Sequence, residues 1–138
     1  MTHIGTITLE SERLILRRFT IVYLSRGDVF YLAIDESDRV VGMVGTETVS
    51  PTELWLKRLF IKPELKGKGI GGKLLSTVEK YAASKGITTL RTKFADWYSE
   101  AARFYPAKGF IDAGSEDYLR YMVKYFYSCN QSHIRDTI

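Results

Sequence analysis

The sequence predicts a single mixed α/β (α+β) domain, rich in strands, with two main helices in its second half. The chain has 138 residues, 45% of them hydrophobic, which is enough for one core but not for two. Apolar residues alternate with a period of two up to Ile61 and recur with a helical period from Gly69 onward. Because no repeat or linker interrupts this pattern, we expect one domain over residues 1–127 and a polar C-terminal tail over residues 128–138.

Turn-forming residues divide the chain into predicted elements. We expect a first helix that starts at Gly69 and ends at Gly86, and a shorter second helix that carries Tyr105 and is capped by Asp96 or Ser99. The predicted strands are Ile4–Phe19 (one strand or a pair), Val29–Ile34, Val40–Val49, Glu53–Ile61, Ile87–Phe94, Phe110–Ala113 and Tyr118–Phe126.

The strand over Glu53–Ile61 changes its apolar parity. Leu54 and Leu56 occupy even positions, whereas Leu59 and Ile61 occupy odd ones. A shift of one residue turns side chains to the opposite face of a sheet, so a strand that stays in one sheet needs a β-bulge. The pattern therefore favours a bulge near Lys57 and Arg58.

The positive charge of the protein is concentrated in one segment. The chain carries 20 Lys and Arg against 16 Asp and Glu, a net charge of +4. From Lys57 to Lys73 there are six cations and one anion, so this segment contributes +5 and the remainder −1. A general nucleic-acid-binding protein usually spreads its basic residues over a face or a tail. A single site for an anionic ligand explains this distribution better.

Metal, disulfide and membrane chemistry find little support in the sequence. Cys129 is the only cysteine, and His3 and His133 lie near opposite ends of the chain. Apolar stretches fall far short of the roughly 18 residues of a membrane helix, and the N-terminus lacks the pattern of a secretory leader. We therefore expect a cytoplasmic protein without a metal.

A glycine-rich segment, Lys66 to Gly72, joins the predicted strand Glu53–Ile61 to the first helix. The first amides of a helix lack intrahelical partners and lie at the positive end of its dipole, and glycines allow an anion to approach them. The segment lacks the P-loop pattern and fits the dinucleotide fingerprint only loosely. An ordinary glycine-rich turn remains the alternative interpretation.

Two motifs in this order resemble those of the GNAT superfamily of N-acetyltransferases. Leu56 to Leu75 resembles the acetyl-CoA-binding motif, and Ala101 to Phe110 resembles the pattern Ala-x-x-Phe-Tyr-x-x-x-Gly-Phe of a helix and the following strand. Leu9 to Phe19 is similar to the opening strand of the ribosomal-protein N-acetyltransferase branch. The resemblance extends over Val29 to Phe126 and implies a mixed, mostly antiparallel central sheet.

The resemblance also implies how acetyl-CoA, as cosubstrate, would bind. In the family pattern Arg/Gln-x-x-Gly-x-Gly/Ala, Lys66 takes the first position, Gly69 the fourth and Gly71 the sixth. Main-chain groups of the strand after its bulge would bind pantetheine, and the amide near Leu59 would polarise the thioester carbonyl. The residues implied for pyrophosphate are Gly67, Lys68, Gly69, Ile70, Gly71 and Gly72, with Lys66 before them, and those for pantetheine are Leu59, Phe60 and Ile61.

Two catalytic candidates follow from the resemblance. Tyr105 matches the family's tyrosine, whose hydroxyl protonates the departing thiolate; packing within a helix is its alternative role. Many relatives carry a glutamate base where this chain has Trp55, so Glu53, two residues earlier, would act directly or through water, unless it is only a solvated residue. Tyr98 also replaces the asparagine that begins the second helix in many relatives.

The implied function is transfer of acetyl from acetyl-CoA to a primary amine of an unidentified acceptor by direct attack. A non-catalytic acyl-CoA-binding or regulatory module and a small nucleic-acid-binding domain are the alternatives. Relatives have two helices between the first two strands, and Thr20 to Asp28 is too short for both. We therefore expect an open acceptor side near Trp55 and Phe60, and a homodimer that covers it.

Overall fold

The structure is a computed structural model that describes residues 3–8, 18–23 and 28–126, with side chains from residue 28 onward. This part of the chain forms eight strands, two α-helices and a short 3₁₀ turn at Pro63–Leu65. The elements are β1 (His3–Thr8), β2 (Arg18–Tyr23), β3 (Val29–Ile34), β4 (Val40–Ser50), β5 (Glu53–Ile61), α1 (Ile70–Ser84), β6 (Thr89–Ala95), α2 (Ser99–Ala107), β7 (Ile111–Glu116) and β8 (Leu119–Tyr125).

Contacts group the chain into two compact units. The first unit comprises Met1–Thr48 and Leu56–Lys80, and the second comprises Val49–Trp55 and Tyr81–Ile138. Strand β5 therefore contributes its first three residues to the second unit and the rest to the first. The polar tail predicted over residues 128–138 lies outside the described residues, and the single domain over residues 1–127 stays a prediction.

In the first unit, β1, β2, β3 and β4 are joined in order by antiparallel pairing. The predicted N-terminal segment is thus a strand pair, and β2 continues to Tyr23, opposite Val29 of β3. Residues 9–17, which carry most of the resemblance at the N-terminus, lie outside the described part. Within residues 3–8, 18–23 and 28–62 there is no helix. The loss of the first two helices stays a prediction, because residues 24–27 of the span Thr20 to Asp28 lie outside the described part. The apolar stripe of α1 is buried here through Ile70, Leu74, Leu75 and Val78.

The predicted irregularity in β5 lies at Arg58, whose φ of 54° is left-handed. A non-glycine residue in this region costs roughly 1–2 kcal/mol, so the surrounding pairing must hold it there. Leu54 and Leu56 before it are buried, whereas Phe60 after it is 52% exposed. The change of parity in the sequence thus corresponds to a real change of face.

In the second unit, Glu53–Trp55 of β5 pair in parallel with Thr89–Arg91 of β6, and β6 and β7 both pair antiparallel with β8. Together with the antiparallel pairs of the first unit, this gives the mixed, mostly antiparallel pairing that the family resemblance implies. The buried side chains of β6 are Leu90, Thr92 and Phe94, which alternate as one face of the strand requires.

The start of α2 differs from the sequence prediction. The N-cap is Tyr98, whose side chain makes no capping bond, and neither Asp96 nor Ser99 has this role. The carboxylate of Asp96 instead accepts a hydrogen bond from Arg120 Nε at 3.0 Å. Local capping rules assign the Asp96 side chain to the helix start, but Arg120, which is distant in sequence, binds it instead.

Candidate active site

The glycine cradle, residues Lys66 to Gly72, lies between the 3₁₀ turn and α1 in the first unit. Gly67 and Gly69 have φ values of 81° and 84°, which side chains with a Cβ rarely adopt. The Lys73 amide donates to the Gly69 carbonyl at 3.1 Å, so Gly69 precedes the first helical residue. The two glycines thus give the chain the turn that directs it into α1.

The space in front of this helix start is not filled by the rest of the described chain. Apart from its chain neighbours, a Cβ built on Gly67 or Gly69 would meet no atom of the described residues within 4 Å. The first four amides of an α-helix have no intrahelical partner, and here they belong to Gly69, Ile70, Gly71 and Gly72. Lys62, Lys66, Lys68 and Lys73 add positive charge along the same segment. Open space, directed amides and positive charge together fit an extended anion such as a diphosphate.

The three predicted pantetheine residues, Leu59, Phe60 and Ile61, directly follow the left-handed Arg58 in β5. Strand β4 approaches this segment closely at Gly42. A Cβ added to Gly42 would lie only 3.1 Å from the Phe60 carbonyl oxygen and 2.9 Å from Ile61 Cδ1. The Lys62 amide also donates to the Val41 carbonyl at 2.9 Å. Gly42, which the sequence analysis did not single out, thus allows the close approach that holds this segment in place.

In the second unit, Tyr105 of α2 lies in a layer of aromatic rings, the tyrosine layer. Its side chain is only 6% exposed and stacks on Phe94 with a centroid distance of 5.8 Å and an interplanar angle of 13°. Phe110 approaches it edge to face at 5.2 Å. The Phe110 amide also donates to the Tyr105 carbonyl at 3.0 Å. These contacts restrict the ring to one orientation.

The Tyr105 hydroxyl has a hydrogen-bonding partner in Thr92, which is 4% exposed. Burial raises the pKa of Tyr105 above its ordinary value, because the phenolate would lose solvation, while the hydrogen bond with Thr92 lowers it in part. The hydroxyl is therefore protonated at neutral pH and can act as a proton donor. Sequence reasoning missed Thr92, although a threonine at the buried parity of β6, between Leu90 and Phe94, needs a polar partner.

Glu53 is the first residue of β5. It forms an ion pair with Arg91 of β6, in which Nε of Arg91 donates a hydrogen bond to Oε2 of Glu53. The side chain of Glu53 is 27% exposed, so water can reach its carboxylate. Trp55, two residues along the same face, packs edge to face with Tyr121 at 6.2 Å and lies under Lys93. The apolar surface expected near Trp55 is thus partly covered, and Arg91 is a partner that sequence reasoning did not predict.

The predicted site residues therefore form two groups. The first unit brings the glycine cradle together with Leu59, Phe60 and Ile61, and the second contains Tyr105 and Glu53 with their partners Thr92 and Arg91. Among the described residues, no group of three or more His, Cys, Asp and Glu could hold a metal ion. No helix in that part of the chain has the length and hydropathy needed to span a membrane.

Comparison with known proteins identifies the family. The family model described as acetyltransferase (GNAT) domain matches residues 26–112, more than half of the chain. Thialysine N-epsilon-acetyltransferase from Bos taurus is 37% identical over 59 residues, 43% of this chain and 35% of that protein. The chain thus spans about a third of the length of this curated relative.

Solved structures share the fold. PaiA N-acetyltransferase from Thermoplasma acidophilum, solved in complex with coenzyme A, is 27% identical with a TM-score of 0.68, covering 72% of this chain and 61% of that one. Ard1 from Thermoplasma volcanium has a TM-score of 0.66 at 19% identity, covering 72% and 71%, a likeness of fold alone. With its cradle at the start of α1 and its matching family model, the chain belongs to the GNAT acetyltransferase family.

Proposed function

We propose that this protein transfers an acetyl group from acetyl-CoA to a primary amine. The glycine cradle carries the proposal, because two left-handed glycines leave open space at a helix start that is flanked by lysines. Such a site suits the pyrophosphate of a CoA ester. The relative solved with coenzyme A supports this choice of ligand. Pyrophosphate would bind to the amides of the cradle, and pantetheine to main-chain groups of Leu59, Phe60 and Ile61.

The reaction is a direct attack of the amine on the thioester carbonyl, with no covalent enzyme intermediate. The amide near Leu59 stabilises the negative charge that develops on the carbonyl oxygen. As the carbon–sulfur bond breaks, the thiolate takes the proton of the Tyr105 hydroxyl, which is later restored from solvent. Burial raises the pKa of Tyr105, so the hydroxyl carries its proton at neutral pH, and the hydrogen bond with Thr92, which lowers this pKa in part, favours release of the proton to the thiolate.

Glu53 is our candidate for the base that removes the proton of the attacking amine, directly or through water. A free alkylamine has a pKa near 10, so the amine must lose a proton before it attacks. We expect Glu53→Gln to lower kcat/KM by about 10- to 100-fold. The matched control is Glu47→Gln, which removes the same charge from an ion pair with Lys57. Equal rates for the two variants would show that Glu53 is not the base.

The test of the function is a screen for acetyl-CoA-dependent thiol release with polyamines, aminoglycosides, amino acids and peptides with free N-termini. Mass spectrometry of the amine must show the added acetyl group. Release of thiol without an acetylated amine would contradict the proposal.

A second candidate function is a non-catalytic acyl-CoA-binding or regulatory module. It is favoured by Tyr98, which begins α2 without a side-chain cap, and by the engagement of Glu53 with Arg91. Tight acetyl-CoA binding in calorimetry, with no acetylated amine anywhere in the screen, would decide for this module.

We also propose that a second copy of the chain covers the exposed apolar surface of the first unit. The side chain of Phe60 is 52% exposed and that of Val40 is 46% exposed. Both residues belong to the first unit, whose described residues form no helix before the 3₁₀ turn. Large exposed apolar side chains often mark an interface. Light scattering at high micromolar concentration should therefore give the mass of a dimer, and a monomer mass would reject it. The cytoplasmic location stays a prediction.

A further inference from the structure

Helix α2, which carries Tyr105, has little internal support. It has nine residues, its N-cap residue Tyr98 makes no side-chain capping bond, and Tyr105 is the one buried residue of the helix. Pro106 lies inside the helix and has no amide to donate to the carbonyl four residues earlier. Helices shorter than about 12 residues are marginal by themselves, so the position of α2 depends on contacts with other elements.

The C-terminal end of α2 is bound by a lysine from β8. Lys124 Nζ donates to the carbonyl of Lys108, the C-cap residue, at 2.8 Å. The last turn of α2 contains no basic residue, and the Lys108 ammonium lies over the Phe104 ring at 5.8 Å. A positive charge is favourable at the C-terminal end of a helix, where the dipole is negative. Lys124 therefore supplies, from another element, a charged cap that the last turn of the helix lacks.

Gly109 allows Lys124 to reach this carbonyl. Its φ of 94° is left-handed, and a Cβ at this position would lie 3.3 Å from Lys124 Cε and 3.5 Å from Nζ. A side chain at position 109 would therefore press on the lysine that binds the preceding carbonyl. The next residue, Phe110, donates its amide to the Tyr105 carbonyl, and its ring lies edge to face against the tyrosine ring. Lys124 thus binds the segment that also encloses the tyrosine.

Strand register places Lys124 on the same face as Thr92, the hydrogen-bonding partner of Tyr105. Lys124 of β8 lies opposite Leu90 of β6, and Met122 lies opposite Thr92. Residues that are opposite each other, or two apart along a strand, face the same side of a sheet, and two residues span about 7 Å. The pair of strands β6 and β8 therefore holds α2 at two neighbouring points, one at the tyrosine hydroxyl and one at the C-cap carbonyl.

We propose that Lys124 is a positioning residue for the proton donor: by capping α2, its ammonium keeps the Tyr105 hydroxyl on Thr92. This inference rests on the proposed acetyl transfer. Tyr105 lies three residues before the C-cap, so a displacement of the helix end moves its ring and its hydroxyl. Lys124 acts by holding Tyr105 where the departing thiolate can take its proton. Its substitution should therefore change turnover and leave the glycine cradle, and with it CoA binding, unchanged.

Kinetics of lysine variants test the effect on turnover. Lys124→Met keeps the apolar stem and removes the ammonium, so we expect kcat to fall by about 3- to 10-fold with an unchanged CoA affinity in calorimetry. Lys124→Arg keeps a cationic donor and should retain at least about half of kcat. The matched control is Lys85→Met, which removes an ammonium just after the C-terminal end of α1 and should leave kcat unchanged. Equal losses in Lys124→Met and Lys124→Arg would contradict a role of the ammonium.

A double-mutant cycle distinguishes positioning from a general loss of stability. Thr92→Val removes the bond that orients the tyrosine hydroxyl, so adding Lys124→Met to it should lower kcat by less than about 2-fold further. If the two substitutions lower kcat independently, so that their factors multiply, Lys124 does not act through the bond between Tyr105 and Thr92. The inference would then be wrong.

Amide hydrogen exchange, followed by NMR, separates this inference from the acetyl transfer on which it rests. The amides of Lys108, Gly109 and Phe110 donate to carbonyls of α2, and they should exchange about 10-fold faster in Lys124→Met but not in Lys85→Met. Unchanged exchange, or faster exchange with an unchanged kcat, would overturn the inference. Faster exchange in a protein that acetylates no amine would contradict the proposed function and leave the hold of Lys124 on α2 in place.

Discussion

The glycine cradle and the tyrosine layer have different physical constructions. The cradle depends on main-chain geometry, with two glycines at positive φ and the amides of a helix start, and a Cβ built on Gly67 or Gly69 would have no atom of the described residues within 4 Å apart from its chain neighbours. The tyrosine layer depends on side chains, with Tyr105 packed between Phe94 and Phe110 and hydrogen-bonded to Thr92. The cradle should therefore be sensitive to any added side chain, whereas the tyrosine layer should be sensitive to the loss of particular atoms.

The largest effect is expected at the cradle. Gly71→Glu adds bulk and a negative charge within the first turn of α1, next to the proposed pyrophosphate. We expect CoA affinity to fall by about 100-fold or more, about 2.8 kcal/mol, through lost hydrogen bonds and repulsion. Isothermal titration calorimetry with CoA measures the change. Ser76→Glu, which adds the same charge to an exposed position of α1, should bind CoA like the unchanged protein. Equal affinity of a folded Gly71→Glu variant would remove the cradle from the binding site.

A substitution in the tyrosine layer should lower turnover and leave CoA binding unchanged. Tyr105→Phe keeps the ring between Phe94 and Phe110 but removes the hydroxyl, so CoA affinity should not change. The loss of a positioned general acid should lower kcat by about 10- to 1000-fold. Steady-state kinetics and calorimetry on the same preparation check both statements. Tyr125→Phe is the control, and wild-type turnover of Tyr105→Phe would assign Tyr105 to packing alone.

Thr92 allows a finer test of the same layer. Thr92→Val removes the hydrogen bond that lowers the pKa of Tyr105 and leaves burial, which raises it. The pKa of Tyr105 should rise further, so the alkaline limb of the kcat profile should move to higher pH. The rate at neutral pH should fall by about 3- to 10-fold, because the hydroxyl loses its orienting partner. Thr92→Ser keeps the hydroxyl, so the alkaline limb of its kcat profile should stay where it is in the unchanged protein. Identical kcat–pH profiles for Thr92→Val and Thr92→Ser would show that the Thr92 hydroxyl does not affect Tyr105.

The smallest effect is expected from the backbone of β5. Arg58→Gly removes the strain of a left-handed residue, roughly 1 kcal/mol, but increases the entropy of the unfolded chain. We expect the free energy of unfolding to rise by about 0.5 kcal/mol, as measured by urea denaturation. Asp38→Gly, at a turn residue with a φ of 62°, is the matched control and should give a similar gain. A loss of stability at Arg58 alone would show that its side chain stabilises this left-handed segment of β5.

Local patterns predicted most of the elements and one half of the candidate site. The bounds of β3 and β5 agree with the expected strands, and the break at Arg58 lies where the apolar parity changes. The glycine cradle was predictable because it consists of consecutive residues and its proposed role belongs to the main chain. The cap of α2 was not, since the carboxylate of Asp96 binds Arg120, which is 24 residues away.

The sequence by itself determined the spacing of apolar residues in each segment, the position of the glycines at the start of α1, and the concentration of positive charge around them. These properties are local, because they depend on the residue types and on their spacing. The tertiary structure alone decided that Thr92 meets the Tyr105 hydroxyl, that Arg91 pairs with Glu53, and that Trp97 stacks on Tyr118. Each of these contacts joins different elements, so it exists only once the strands are paired in register and α2 is packed against them.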